Sequence, residues 1–252
     1  MKADCNSVAT VRPAPSCNER RAPIDMLLLH YTGMSGGAVA EDWLCNAESG
    51  VSCHYIVHED GRVVQMVPEA LRAWHAGAGS WEGREDVNSR SVGIEIVNDG
   101  HADDAELPPF PEAQMQAVAS LSRGIIERHG IAPLRVLGHS DTAPGRKIDP
   151  GEAFDWEWLA GQGVGVVAPA GTGGSGLFLQ QGDTGAPVTA LRTMLKMLGY
   201  GIEAGDTFDE NMATIVTAFQ RHWRRDKVDG VADRDFVERL HWLLRTRDSV
   251  AA

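Results

Sequence analysis

The sequence predicts an α/β fold, a central mixed β-sheet flanked by helices, followed by a small C-terminal three-helix domain. Three observations predict it. Short apolar runs alternate with segments of helical spacing through the first 159 residues, a Gly- and Ala-rich stretch interrupts the chain at 160–176, and three amphipathic segments follow. A chain of 252 residues exceeds one typical domain and falls short of two large ones. We therefore expect an N-terminal extension over 1–24, a main domain over 25–159, a flexible linker over 160–176 and a helical domain over 177–246.

The elements follow in order. Asp25-Met-Leu-Leu-Leu-His30-Tyr-Thr is a continuous apolar run that ends in polar residues, the pattern of a strand buried on both faces. A helix is expected over 38–46. Cys53 to His58 and Val63 to Val67 flank Glu59-Asp60-Gly61-Arg62, whose Asp-Gly marks a hairpin that carries His54 and Tyr55. Ser91 to Val97 reads as a further core strand with Glu95 inside it. Pro111 suits the first turn of a helix that runs to about His129 and stops at Gly130, with Met115, Val118, Leu121 and Ile125 at helical spacing. Leu134 to Leu137 forms a short strand that delivers Gly138-His139, and Pro144 to Gly151 is a loop. Beyond the linker, helices are expected with Val188, Leu191, Leu195 and Leu198 on one face, over 209–224, and over 233–244.

Composition excludes several classes of function. With 43% hydrophobic and 23% charged residues the chain can bury an ordinary core. A net charge of −12 argues against nucleic acid as a partner, because polyanion binding needs clustered Lys and Arg. No stretch approaches the roughly 20 apolar residues of a membrane span. Residues 1–24 hold no apolar run of the length a signal peptide needs, so a cytoplasmic location is expected, with the periplasm or cell envelope as the alternative. Cys5, Cys17, Cys45 and Cys53 form no Cys-x-x-Cys pair and are expected as free thiols, although two disulfides are open to an exported chain. A monomer is the simplest assembly.

A catalytic zinc site draws three ligands from His, Asp, Glu or Cys and keeps one position open. His30 ends a strand, His139 follows another, and Asp149 lies in a loop able to fold back, so these three can supply such a site. Spacing alone does not single them out among nine histidines. Glu95 lies between Ile94 and Ile96 in a buried-type strand, where a carboxylate is costly unless used or paired. Lys147 lies two residues before Asp149, which puts both side chains on one side of an extended loop.

Five ordered segments carry a family resemblance: Leu29-His30-Tyr-Thr, Cys53-His54-Tyr55-Ile-Val-His-Glu-Asp-Gly-Arg, Arg72-Ala-Trp74-His75-Ala-Gly, Asn88-Ser-Arg-Ser-Val-Gly-Ile-Glu95, and Gly138-His139-Ser-Asp-Thr-Ala-Pro-Gly-Arg-Lys147-Ile-Asp149-Pro-Gly. Together they resemble the type-2 N-acetylmuramoyl-L-alanine amidases, in the branch of recycling and envelope enzymes. The resemblance implies the amidase-2 fold and one zinc ion on His30, His139 and Asp149. It further implies Glu95 as general base, Lys147 as oxyanion support and Tyr55 as a third catalytic group. Arg72, Trp74, His75 and Asn88 would line the groove for muropeptides, with or without a 1,6-anhydro end. Hydrolysis of the bond between the lactyl group of N-acetylmuramic acid and L-alanine, in peptidoglycan recycling, is the implied reaction.

The C-terminal segment, with Gly182-Asp-Thr-Gly185, Leu198-Gly-Tyr200, Ala218-Phe219-Gln220 and Val228-Asp-Gly230, resembles the peptidoglycan-binding three-helix domain. Most of those positions are core and turn, so the module could equally dock or stabilise. Two other readings stay open: a peptidoglycan-recognition module that binds without cutting, and a metal-dependent peptidase that uses the same site.

Overall fold

A computed structural model describes residues 1–101, 107–172 and 178–250. Among the described residues there are eight strands: β1 (Thr10–Val11), β2 (Cys17–Glu19), β3 (Met26–Tyr31), β4 (Tyr55–Val57), β5 (Val63–Gln65), β6 (Leu71–Ala73), β7 (Ser91–Ile96) and β8 (Val136–Gly138). Six of them form one sheet in the order β1-β5-β4-β7-β3-β8. The sheet is mixed: β4 and β5 are antiparallel, and the other neighbours are parallel. The first 24 residues do more than extend the chain. They supply β1 at the sheet edge and β2, which pairs with β6 in a separate two-stranded sheet. Two and three residues are too few for a periodic signal.

Alternation along β3 decides what each face of the sheet carries. Leu27 and Leu29, with Tyr55, Val57, Ile94 and Ile96, pack against Met115, Val118, Leu121 and Ile125 of α3 (Glu112–His129). Gly130, at φ 62°, closes that helix in the left-handed conformation glycine adopts without cost. Leu28 faces the other way, and the same parity sends His30 to that second face at the strand's end. There α1 (Gly37–Cys45) covers Ile56, Val64 and Val97 with Ala40 and Leu44.

Two short helices fall where no element was expected. Residues 139–142 form a single turn, α4 (His139–Thr142), and Trp156–Gly161 forms α5. A four-residue helix, α2 (Val87–Arg90), leads into β7. The three C-terminal helices are α6 (Ala186–Leu198), α7 (Glu210–Trp223) and α8 (Arg234–Val250), the last running beyond the expected end at Leu244. Their apolar faces join Met26, Leu28, Trp81 and Leu137 of the sheet domain in one cluster with Leu191, Leu195, Phe219 and Phe236.

The expected linker is packed where it is described. Val164 and Ala168 are buried, and the backbone N–H groups of Gly171 and Thr172 donate to the carboxylates of Asp235 and Glu238. Its residues 173–176 lie outside the described residues. Small residues there serve close packing as well as freedom, which composition alone does not distinguish. Among the described residues no helix is long and apolar enough to cross a membrane. All four cysteines are free thiols.

Candidate active site and metal ligands

The parity that turns His30 onto the second face also fixes its neighbour, because β3 and β7 run parallel with His30 paired to Glu95. β8 lies on the other side of β3 and hands the chain directly to His139, the first residue of α4. Asp149 returns to the same point from the following loop, tied there by a hydrogen bond from the Ser140 N–H to its carbonyl at 3.0 Å. Three buried side chains thus converge. His30 Nδ1 lies 2.9 Å from His139 Nδ1 and 3.0 Å from Asp149 Oδ2, and His139 Nδ1 lies 3.1 Å from that oxygen.

The donor set fits a small divalent cation. A tetrahedral ion at about 2.0–2.1 Å from each donor separates them by roughly 3.3–3.4 Å, within a few tenths of an ångström of these edges. The lone pairs are also fixed. His139 Nε2 donates to the Ala76 carbonyl at 2.9 Å, which leaves Nδ1 free to ligate. His30 Nε2 donates to His75 Nδ1 at 3.0 Å, and His75 Nε2 donates in turn to Ser91 Oγ at 3.3 Å. Ser91 closes the relay by donating to the Val87 carbonyl at 2.7 Å.

Electrostatics agree with a neutral His30 imidazole beside an ionised Asp149 carboxylate. Burial, reinforced by His139, pulls His30 down to about 4. Burial alone would raise Asp149, but the two histidines override it and hold its carboxyl well below the usual range. Glu95 behaves oppositely. Burial and the nearby Asp149 push it well above an ordinary carboxyl, against the pull of Lys147. Its Oε2 is shut from solvent and has no hydrogen-bond partner.

These groups line one cavity of about 370 Å³, with Trp43, Trp74, Arg146 and Lys147 also in its wall. Residues 20–152 match the family model for N-acetylmuramoyl-L-alanine amidases. The chain belongs to that family.

A second model, for a peptidoglycan binding domain, matches residues 184–240 of the amidase. Among curated proteins, N-acetylmuramoyl-L-alanine amidase AmiD of Escherichia coli K12 is 34% identical over 226 residues, covering 84% of this chain and 79% of that one. The solved complex of AmiD with anhydro-N-acetylmuramic acid-L-Ala-D-gamma-Glu-L-Lys superposes with a TM-score of 0.78 at 32% identity, over 91% and 92% of the two chains. AmpDh3 of Pseudomonas aeruginosa, in complex with anhydromuramic pentapeptide, gives 0.73 at 27% identity over 98% and 99%. The fold and the enzyme class are thus those expected. Zinc dependence is general in this family.

The amidase brings together His30, Glu95, His139, Lys147 and Asp149, with Trp74 at the rim, but other expected site residues lie elsewhere. Tyr55 is not in the cavity. It pairs with Ile94, one residue off Glu95, so it faces α3, where its hydroxyl donates to Glu69 Oε1 at 2.6 Å. Arg72 is spent on Asp86 and Asn18. Asn88 accepts from the backbone N–H groups of His75 and Ala76, and so holds the carbonyl that orients His139. His75 reaches the cavity but serves as the acceptor behind His30. Gly93 makes room for it: a Cβ there would stand 2.5 Å from the His75 ring. Sequence reasoning missed Trp43, Met34 and Arg146 in the wall. Arg146 was legible inside the Gly-Arg-Lys run, whereas nothing in the helical pattern marks Trp43.

Proposed function

We propose that the amidase binds one zinc ion through His30, His139 and Asp149. In this reading it hydrolyses the amide between the lactyl group of 1,6-anhydro-N-acetylmuramic acid and the L-alanine of the stem peptide. The observation that carries this is the convergence of three buried donors beside a carboxylate whose buried Oε2 has no partner. Relatives solved with anhydromuropeptides support the substrate.

When bound, the ion would polarise the scissile carbonyl and bring the pKa of a coordinated water to about 7. The protein supplies the rest. Glu95 Oε2 takes the proton of the attacking water and passes it to the leaving amine, for which its elevated affinity for a proton suits it. Lys147, in the cavity wall, faces the developing oxyanion and favours it electrostatically. Trp43 and Trp74, 45% and 37% exposed, offer flat apolar faces at the opening on which a sugar ring can pack. Arg146 adds a cation for the carboxylates of the stem.

The test is incubation of metal-replete protein with anhydro-N-acetylmuramyl tripeptide and resolution of the products by mass. The expected products are the free anhydromuramic acid and a peptide that begins with L-alanine. An intact, retained fragment would instead establish a binding module, and cleavage within the peptide would establish a peptidase.

A further inference from the structure

Asp141, two residues after His139, is completely buried and takes no part in the chemistry above. Burial of a carboxylate requires that its charge be met by donors. One comes from its own turn: the Gly138 N–H donates to Oδ2 at 2.8 Å, which pins the junction of β8 and α4. The other two come from the helical domain. Tyr200 Oη, in the loop after α6, donates to Oδ1 at 2.5 Å, and His222 Nδ1, on α7, lies 2.7 Å from Oδ2. Both side chains are buried, and His222 is stacked between Trp156 and Trp223 with ring centroids 3.8 and 3.5 Å away. α7 also presses on the loop after α4, where a Cβ on Gly145 would stand 2.8 Å from Thr214 Cγ2.

α4 is the platform of two metal donors. His139 is its first residue, and Ser140 holds the Asp149 carbonyl. His30 comes from the sheet instead. A shift of α4 by a few tenths of an ångström would therefore move two donors together against the third, and metal affinity is sensitive to such orientation.

We propose that Tyr200 and His222 of the C-terminal domain are positioning residues for the metal site, acting through Asp141 on α4. The domain named for wall binding is then also part of the scaffold that shapes the catalytic centre. This rests on His139 being a metal ligand.

The experiment uses the full chain and three substitutions, Tyr200→Phe, His222→Leu and His222→Asn, with Arg225→Ala as control. Arg225 makes ion pairs from the same end of the helical domain to Asp155 and Glu157 but does not touch Asp141. Zinc affinity is read by chelator competition, and the ligand field by the visible spectrum of the cobalt-substituted protein. Tyr200→Phe and His222→Leu should each weaken zinc binding about tenfold or more, alter the cobalt bands and lower kcat more than KM. His222→Asn, which keeps a donor near Nδ1, should recover most of the loss, and Arg225→Ala should match the parent. Tyr200→Phe removes a single oxygen, so it keeps the test decisive if His222→Leu does not fold. Parent-like zinc affinity and cobalt spectrum in Tyr200→Phe would overturn the proposal, as would an equal loss in Arg225→Ala. A parent chain that bound no zinc would instead overturn the ligand assignment on which it rests.

Discussion

His30 and Glu95 stand side by side on neighbouring parallel strands, paired in register and turned to the same face of the sheet. One offers a nitrogen to the proposed metal site, and the other a buried carboxylate oxygen with no partner. Because the two roles sit on separate strands, they separate by mutation. Glu95→Gln should leave zinc stoichiometry at the parental value and lower kcat by about 10²–10⁴, the usual contribution of a general base. Metal analysis alongside steady-state kinetics checks both halves, and loss of zinc in this variant would place Glu95 among the ligands.

The metal-free protein should reveal the same carboxylate through its stability. A Glu raised by burial binds its proton more tightly folded than unfolded, so its contribution is present at low pH. It is lost as pH rises above about 4.3, up to the elevated folded value. Glu95→Gln has no such loss. Metal-free Glu95→Gln should therefore be the more stable protein at pH 7, with the gap closing toward pH 4. Buried His30 acts in the other direction, since a pKa lowered to about 4 makes its contribution full above about 6.5 and lost as pH falls toward 4. In the Glu95→Gln background, stability should fall across that window, with buried His54 and His75, whose pKa values burial also lowers, adding to the loss. Urea unfolding between pH 4 and 7.5 measures both, and a flat profile would contradict the burial argument.

Tyr55 should matter to stability and not to catalysis. Its hydroxyl is committed to Glu69, which Arg128 and His129 also hold, on the sheet face away from the cavity. Tyr55→Phe should cost about 1–2 kcal/mol of folding free energy while kcat and KM stay at parental values. A large fall in kcat with unchanged stability would return Tyr55 to the reaction.

That residue also shows what the sequence could and could not disclose. The end of an apolar run marked His30, and the cost of a carboxylate among isoleucines marked Glu95. Both signals are local. Tyr55 lies next to them in space yet one step off in register, and a single step reverses the face of a strand. Only the pairing with Ile94 reveals it. Arg72 and Asn88 lie outside the cavity wall for a related reason: their partners, Asn18 with Asp86 and the backbone at 75–76, are chosen by the fold. The three C-terminal helices were visible as spacing of Leu and Phe, but the joining of their core to Leu28 and Leu137 leaves no trace in periodicity.

The relay behind His30 gives a last prediction that tests geometry rather than chemistry. Gly93 on β7 lies under the His75 ring, and a methyl group there would approach ring atoms to 2.5 Å. Gly93→Ala must push His75 aside, which removes the acceptor of the His30 Nε2 proton and frees the ring proposed to ligate the metal. Zinc affinity should fall by about 10–100-fold, as for other losses behind a ligating histidine, and stability by about 1–3 kcal/mol from overpacking. His75→Ala should produce a comparable loss of affinity with no steric clash. In the double variant the clash has nothing to strike, so adding Gly93→Ala to His75→Ala should cost little further stability or affinity. Full additivity of the two substitutions in chelator competition and urea unfolding would show that Gly93 acts on something other than His75.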